Sequence, residues 1–358
     1  MRLFPVSRLS TGLVAALAAA LLFGAGTPLS KMLLAETSPW LLAALLYLGS
    51  GLGLALVRRV RGKPPVRLAP GEWPWLVAAV AAGGVVGPVL LLIGLDGLNA
   101  STASLLLNAE GVFTALLAWS VFKENVDRRI VAGMAAIVAG GLVLSWPGQV
   151  GTVSWQPALC VIGACLAWAL DNNLTRKVSL NDASWLAMVK GLGAGTTNLV
   201  LALALGAQWP GVSLLGAAAL LGFASYGASL VLFVVALREL GTGRTGAYFS
   251  VAPFFGAVLA ILLLGDPVTP QLLLAGALMA AGVALHLSER HQHRHGHDHQ
   301  SHEHPHVHGA DDTHHDHAHT PAVSPGTRHS HRHEHGDLLH SHPHFPDAHH
   351  RHGHGHSH

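Results

Sequence analysis

A glutamate stands in the middle of an uncharged, apolar run. It is Glu110, in the stretch from Asn99 to Trp146, with Asn108 two positions before it. A carboxylate in such a place has two roles open to it. It exchanges a proton or coordinates a solute, or it balances another charge inside the bundle. Two more ionisable residues lie in apolar runs further on, Asp171 and Lys190. Lys190 either extends its ammonium to the membrane surface along its methylene stem or pairs with Asp171 or Glu110. Asn172, Asn173 and Asn198 line the same cavity or serve as buried hydrogen-bonding groups. Pro253 interrupts a later run. A proline inside a helix frees a backbone carbonyl, which opens a binding site or merely kinks the helix. Asn108, about 200° around the helix from Glu110, reads as a bond between helices. No nucleophile stands beside a base, so an enzyme is not expected. The phosphate-cradling Gly-x-x-x-x-Gly-Lys-Ser/Thr is absent, which argues against direct drive by ATP.

The second stretch with chemistry follows Arg290. All but one of the 27 histidines lie there; the exception is His286. They alternate with Asp, Glu, Gly, Ser and Pro, as in His293, His295, His297 and His299, then His302, His304, His306 and His308. Neutral imidazoles at this density suit Zn, Ni, Co or Cu. No apolar period runs through residues 291–358, so a disordered tail is expected. Either the tail binds divalent metal, or it is a solvated segment without bearing on the rest. No other cofactor is required.

The elements that must position Glu110 are membrane helices. The 358 residues are 51% hydrophobic and 11% charged, whereas soluble domains carry about 25% charged residues. Runs long enough to cross a bilayer fall at about Leu13–Ala35, Pro39–Val57 and Trp73–Leu95, then twice within Asn99–Trp146. They continue at about Trp155–Leu174, Asp182–Leu205, Gly211–Leu237, Thr242–Leu264 and Pro270–Leu287. Of nine tryptophans only Trp168 lies away from a run's end, as an interfacial aromatic belt predicts. Cys160 and Cys165, five apart on one run, fit neither a disulfide framework nor a metal Cys-x-x-Cys and read as small packing residues. Gly49-x-x-x-Gly53, Gly83-x-x-x-Gly87 and Gly191-x-x-x-Gly195 permit close helix contact.

Basic residues sit in alternate loops. One set holds the N-terminus, Arg58–Arg67, Lys123–Arg129, Arg176-Lys177, Arg238–Arg244 and Arg290 onward; the other holds Lys31 and almost nothing else. The positive-inside rule then predicts ten helices with both termini in the cytoplasm.

The chain also echoes itself. Sliding it by 142 positions sets Phe113 on Phe255, Ala118 on Ala260 and Gly140 on Gly282, with an acid, Glu124 or Asp266, ending a helix in each copy. Weak internal symmetry of this kind accompanies many transporters. Ser250-Val251-Ala252-Pro253-Phe254-Phe255 and the opening Leu22-Phe23-Gly24-Ala25-Gly26-Thr27-Pro28 resemble the EamA-type repeat of the drug/metabolite transporter superfamily. Asn108-Ala109-Glu110-Gly111 departs from that pattern. The resemblance covers about residues 10–288. It implies an all-α membrane protein with two five-helix repeats, 1–150 and 151–290, followed by the tail at 291–358. Odd-numbered repeats must be inverted, with a site near the midplane. The expected activity is secondary transport in the cell's inner membrane, export rather than import. The solute is a small organic metabolite or drug, or else a divalent cation gathered by the tail. A metal-responsive membrane protein without transport is the alternative. The lipid bilayer and the solute are the expected partners, and nucleic acid is not.

Overall fold

The computed structural model describes residues 11–66, 68–122, 128–145, 155–178, 182–240, 245 and 248–287, and in the tail 292–297, 300–307, 328–335 and 338–343. The apolar runs become helices because their stops are written beside them. Ser38 caps α2 (Pro39–Val60), its hydroxyl accepting from the Leu41 amide at 3.3 Å, with Pro39 in the first turn where no donor is lost. Asp182 does the same for α8 (Ala183–Ala204), accepting from the Trp185 amide at 2.9 Å. The remaining helices are α1 (Thr11–Leu34), α3 (Pro70–Gly97), α4 (Ala100–Leu106), α5 (Ala109–Phe122), α6 (Arg128–Ser145) and α7 (Gln156–Thr175). After them come α9 (Val212–Gly222, continuing beyond a π-turn as Ser229–Leu240), α10 (Ala252–Leu264) and α11 (Pro270–Leu287).

Seven segments among the described residues are long and apolar enough to cross a membrane. Three more apolar helices are shorter, at Val131–Leu144, Ala252–Leu264 and Pro270–Leu285. The protein is therefore a multi-pass membrane protein.

Two features interrupt the helices, and each occurs twice. A π-turn occupies Val80–Val86 in α3, and another occupies Phe223–Ala228 in α9. A break at Leu107-Asn108 separates α4 from α5, and a turn at Ser250-Val251 precedes α10. Both pairs overlap when the chain is slid by the same 142 positions. Pro253 thus lies in the first turn of α10 rather than inside a helix. Its missing N–H costs nothing there, so Pro253 starts a helix, and of its two readings the mid-helix kink does not form.

The two halves also meet reciprocally. A Cβ added to Gly140 of α6 would stand 3.0 Å from the Ala275 carbonyl and 2.7 Å from Met279 Cγ of α11. One added to Gly282 of α11 would stand 2.7 Å from both the Gly133 carbonyl and Ile137 Cγ1 of α6. Ala275 and Met279 follow Gly133 and Ile137 by that same interval. The helices α2 and α8 cross just as closely. A Cβ on Gly51 would lie 2.6 Å from the Leu192 amide, and one on Gly191 2.8 Å from the Gly51 amide. In both pairs rising numbers on one helix meet falling numbers on the other, so the partners run antiparallel. Within lipid the tails are as apolar as the side chains, so helix association rests on such backbone proximity and on polar contacts.

Acidic and basic ends fasten the bundle. Asp266, just past the positive-φ stop at Gly265 (φ 69°), accepts from the Ser101 amide at 2.7 Å and so caps α4. Lys31 donates to the last carbonyls of α3, Leu95 at 2.6 Å and Asp96 at 2.8 Å, the helix end that favours a cation. Arg58 is buried and donates to Asp182 at 2.7 Å, to the Ser184 hydroxyl at 2.5 Å and to the Pro64 carbonyl at 3.0 Å. Burial alone would raise the Asp182 carboxyl. The Ser184 hydroxyl, the Trp185 amide and Arg58 outweigh it and hold Asp182 below the usual carboxylate range. Glu124, the matching acid of the first half, lies outside the described residues.

The tail, residues 290–358, forms a unit of its own. It was expected to lack regular structure, but its described residues carry four strands. β1 (Gln292–His297) pairs antiparallel with β4 (Leu338–Pro343), and β2 (Gln300–Val307) with β3 (Arg328–His335). The alternation of His with other residues has the two-residue period of a strand, a signal that composition alone does not carry.

Gly191→Leu should push α2 and α8 apart and lower the melting temperature of the detergent-solubilised protein, by overpacking of at least about 1–3 kcal/mol. Gly216→Leu, where an added side chain meets open space, should leave it unchanged.

Candidate functional site

The break between α4 and α5 places Glu110 in the first turn of α5, half-buried. Its Oε1 accepts from Asn172 Nδ2 at 2.8 Å, and the same amide lies 3.5 Å from the Thr114 hydroxyl. One turn of α7 therefore faces one turn of α5. Glu110 also lies within electrostatic reach of both Asp171 and Lys190, but neither is its direct partner.

Lys190 is held by the neighbouring residue. Its Nζ donates to both oxygens of Asp171, at 2.6 and 2.7 Å, and to Thr175 Oγ1 at 3.2 Å; Thr175 in turn donates to Asp171 at 2.8 Å. The Lys190 side chain is 19% exposed and that of Asp171 10%. Of the alternatives for Lys190, the pair with Asp171 forms, and neither the extended surface pose nor the pair with Glu110 does. An ammonium has three protons, and these contacts occupy them.

Asp171 fits only because Gly83 lies opposite. A Cβ there would run into the Asp171 carboxylate, and one at Gly87 would lie 2.8 Å from Trp168 Nε1. Gly83-x-x-x-Gly87 is thus the notch in α3 that receives α7. The π-turn also frees carbonyls. Gly83 O accepts from Tyr47 OH and from Trp168 Nε1, both at 2.9 Å, and Gly84 O accepts from Asn198 Nδ2 at 3.0 Å. Asn198 is fully buried, and its own Oδ1 has no partner among the described residues. It is a π-turn anchor on α8, away from the Glu110 carboxylate. Asn173 donates to Ala169 O of its own helix at 2.8 Å and joins neither acid. Asn108 closes its own turn through Leu105 O at 2.9 Å and reaches Met279 Sδ at 3.9 Å, so its role between helices is slight. Cys165 packs in the core with its thiol 3.6 Å from Leu106 O, beside the helix break.

An aromatic group completes the interior. Tyr47 of α2 stacks on Tyr226 of the second π-turn at 5.4 Å, and Phe23 of α1 meets Tyr226 edge-on at 6.0 Å and Phe249 at 5.4 Å. The sequence reading missed Tyr47, Tyr226, Thr175 and the packing role of Phe23, and it found close contact at Gly83 without its partner Asp171. Two signals were present. Trp168 is the tryptophan away from a helix end, and two of three tyrosines fall mid-run. Pro253 opens α10, placing its turn beside α1, where a Cβ on Gly24 would strike the Ala252 carbonyl. Of the tail histidines, His299 and His308 lie outside the described residues. His293, His295 and His297 fall on β1, and His302, His304 and His306 on β2. Among the described residues no three His, Cys, Asp or Glu come together in a way that could hold a metal ion.

Comparison with known proteins gives a consistent result. The model of the EamA-like transporter family matches residues 10–146 and again residues 155–288. An uncharacterized transporter of Methanothermobacter thermautotrophicus is 28% identical over 291 residues, covering 76% of this chain and 84% of that protein. A probable terminal-alkyne amino-acid exporter of Streptantibioticus cattleyicolor is 28% identical over 60% of this chain and 73% of its own length. A probable amino-acid metabolite efflux pump of Salmonella typhimurium is 26% identical over 53% of this chain and 68% of its own length. A solved crystal structure superimposes with a TM-score of 0.59 at 19% identity, covering 78% of this chain and 96% of that one, a likeness of fold alone.

Lys190→Met should leave the Asp171 carboxylate buried and unpaired, which costs about 3–5 kcal/mol. The double change Lys190→Met with Asp171→Asn should recover much of that. Thermal unfolding of the solubilised variants checks both, and an unaltered melting temperature for Lys190→Met would remove the pair from the stability of the fold.

Proposed function

The chain belongs to the EamA-like transporter family, and from that premise we propose that it is a secondary exporter of a small organic metabolite. It works by alternating access about Glu110. It is a membrane transporter and not an enzyme. The one observation that carries the site assignment is the contrast between two charges. Lys190 is fully engaged by Asp171 and Thr175, while among the described residues Glu110 is bonded by one side-chain amide, that of Asn172, at a helix break. A carboxylate so placed is free to change partner, as a coupling or coordinating group must. Asn172 holds Glu110 directly, Asp171 and Lys190 stand beside it as an ion pair, Asn198 steadies the π-turn of α3 behind them, and the Pro253 turn stands on the opposite repeat.

The reading takes the protein as ten helices in two inverted five-helix repeats, 1–150 and 151–290. The reciprocal antiparallel crossings support this, and so do three shorter apolar helices beside seven long ones. Interrupted helices in corresponding positions of two halves are where transporters build their sites. Both termini face the cytoplasm by the distribution of Lys and Arg, in the inner membrane. An organic solute is favoured because the described interior gathers no metal-ligand cluster. Two relatives named for amino-acid export support the same choice. A divalent cation is the second reading, favoured by the tail. The tail itself binds Zn, Ni, Co or Cu through neutral imidazole, as a store or sensor of metal on the cytoplasmic side.

Glu110→Gln should abolish export while leaving insertion and melting temperature intact, because the amide keeps the shape and the bond to Asn172 but cannot ionise. Efflux from vesicles loaded with candidate amino acids and cationic drugs reads this out, and undiminished efflux by a well-folded variant would remove Glu110 from the mechanism. Calorimetry of the full chain against the chain ending at Arg290 should show Zn or Ni binding only in the former. That binding should weaken as pH falls below about 6.5, where imidazole takes up a proton. Equal binding by the two chains would take the metal function away from the tail.

A further inference from the structure

A crevice lies apart from Glu110, between the C-terminal end of α2, the N-terminal end of α8 and the second half of α9. Its walls are apolar: Leu54 and Val57 of α2 and Leu230 and Val234 of α9. Its other end is basic, with Arg61 and Lys63 beside the buried Arg58. The charge balance there is unequal. Arg58 is neutralised by Asp182 and fixed by Ser184 and the Pro64 carbonyl. Asp182 is the one acid in the lining, and it is already engaged. Arg61 and Lys63 are exposed and form no ion pair among the described residues. Two uncompensated cations thus crown a slot of aliphatic side chains at the end of a membrane helix.

We infer that this crevice binds one anionic phospholipid, its phosphate on Arg61 and Lys63 and the upper part of an acyl chain against the partly exposed Val57, Leu230, Val231 and Val234. A soluble anion would match the cations but leave the aliphatic walls wet. A zwitterionic lipid would match the walls but bring its own cation to Arg61 and Lys63. An anionic phospholipid satisfies both ends at once, and basic pockets between helices are where such headgroups settle. Arg58 has a positioning part. Clamped to Asp182 and Ser184, it ties α2 to α8 and fixes the backbone of residues 58–64 through Pro64, so Arg61 and Lys63 stand over the slot. Assignment to the cytoplasmic leaflet rests on the orientation proposed above. Occupancy of the slot does not.

The test is native mass spectrometry of the full chain in detergent, with phosphatidylglycerol or phosphatidylcholine added. Wild type should retain one phosphatidylglycerol and not phosphatidylcholine. Arg61→Gln with Lys63→Gln should bind more weakly by about fivefold for each charge removed, roughly 25-fold together, since a Lys or Arg at an anionic lipid surface contributes about 1 kcal/mol and about 1.4 kcal/mol is tenfold in affinity. Arg59→Gln, a neighbouring exposed arginine outside the slot, should bind like wild type. Millimolar inorganic phosphate should not displace the lipid. Equal retention of the two lipids, equal loss in the Arg59 variant, or displacement by phosphate would each overturn the proposal. A reporter fused at Gly62 decides the leaflet separately: a signal from outside would move the site to the other leaflet and fail the proposed orientation, leaving the lipid result standing.

Discussion

Inside a bilayer no water is present to satisfy a backbone group that a helix releases, so every interruption of a helix needs a partner from the protein. The interior of this bundle is organised by that constraint. The π-turn in α3 releases carbonyls, and Tyr47, Trp168 and Asn198 come from three other helices to take them. The break after α4 is closed by the Asn108 side chain within its own turn and is approached by Cys165. The end of α3 is met by Lys31, and the start of α4 by Asp266. Each irregular point thus fixes the rotation of a second helix. That is how residues far apart in sequence, such as Glu110 and Asn172, come to face each other within hydrogen-bonding distance.

The scaffold is symmetric and its chemistry is not. Sliding the chain by 142 positions carries Glu110 onto Ala252 and Asn108 onto Ser250, and carries Leu48 and Leu29 onto Lys190 and Asp171. The first half supplies the loosely held acid, and the second supplies the ion pair. The glycine crossings are kept in both halves, because they set how closely backbones approach. The charges are found in one half each. An alternating-access device needs equivalent halves to rock between two states, and it needs a distinct site to bind one solute. The proposed mechanism would draw on both sides of this division.

Much of the architecture could be read from the sequence. Apolar runs, their capping residues and the alternation of basic loops mark the helices, because burial in lipid is a coarse property summed over many residues. The partner of Lys190 could not be read that way. Depth follows from counting residues, and it puts Asp171 level with Lys190 and Glu110 only a few residues deeper, within reach of the same long side chain. The choice between them depends on helix rotation and on which helix enters the notch at Gly83, which only packing reveals. Pro253 was visible but misplaced, since a proline at a helix start and one inside a helix read alike when the preceding turn has no strong signal. Leu107-Asn108 has no proline at all, so the matching break in the first half was silent. In the tail, composition pointed to a chain without structure, while the two-residue alternation of histidine carried the strand pairing.

The crossing of α6 and α11 has an evolutionary reading. Gly140 meets Ala275 and Met279, and Gly282 meets their counterparts Gly133 and Ile137, so each helix offers the other the same patch. Such a contact is self-complementary. A protein of half this length, inserted into the membrane in both orientations, would close it with its own copy. The unequal placement of Glu110 and Lys190 would not survive in that arrangement, because identical halves carry identical charges. Joining two copies into one chain is what lets each drift separately and guarantees that every molecule holds one of each.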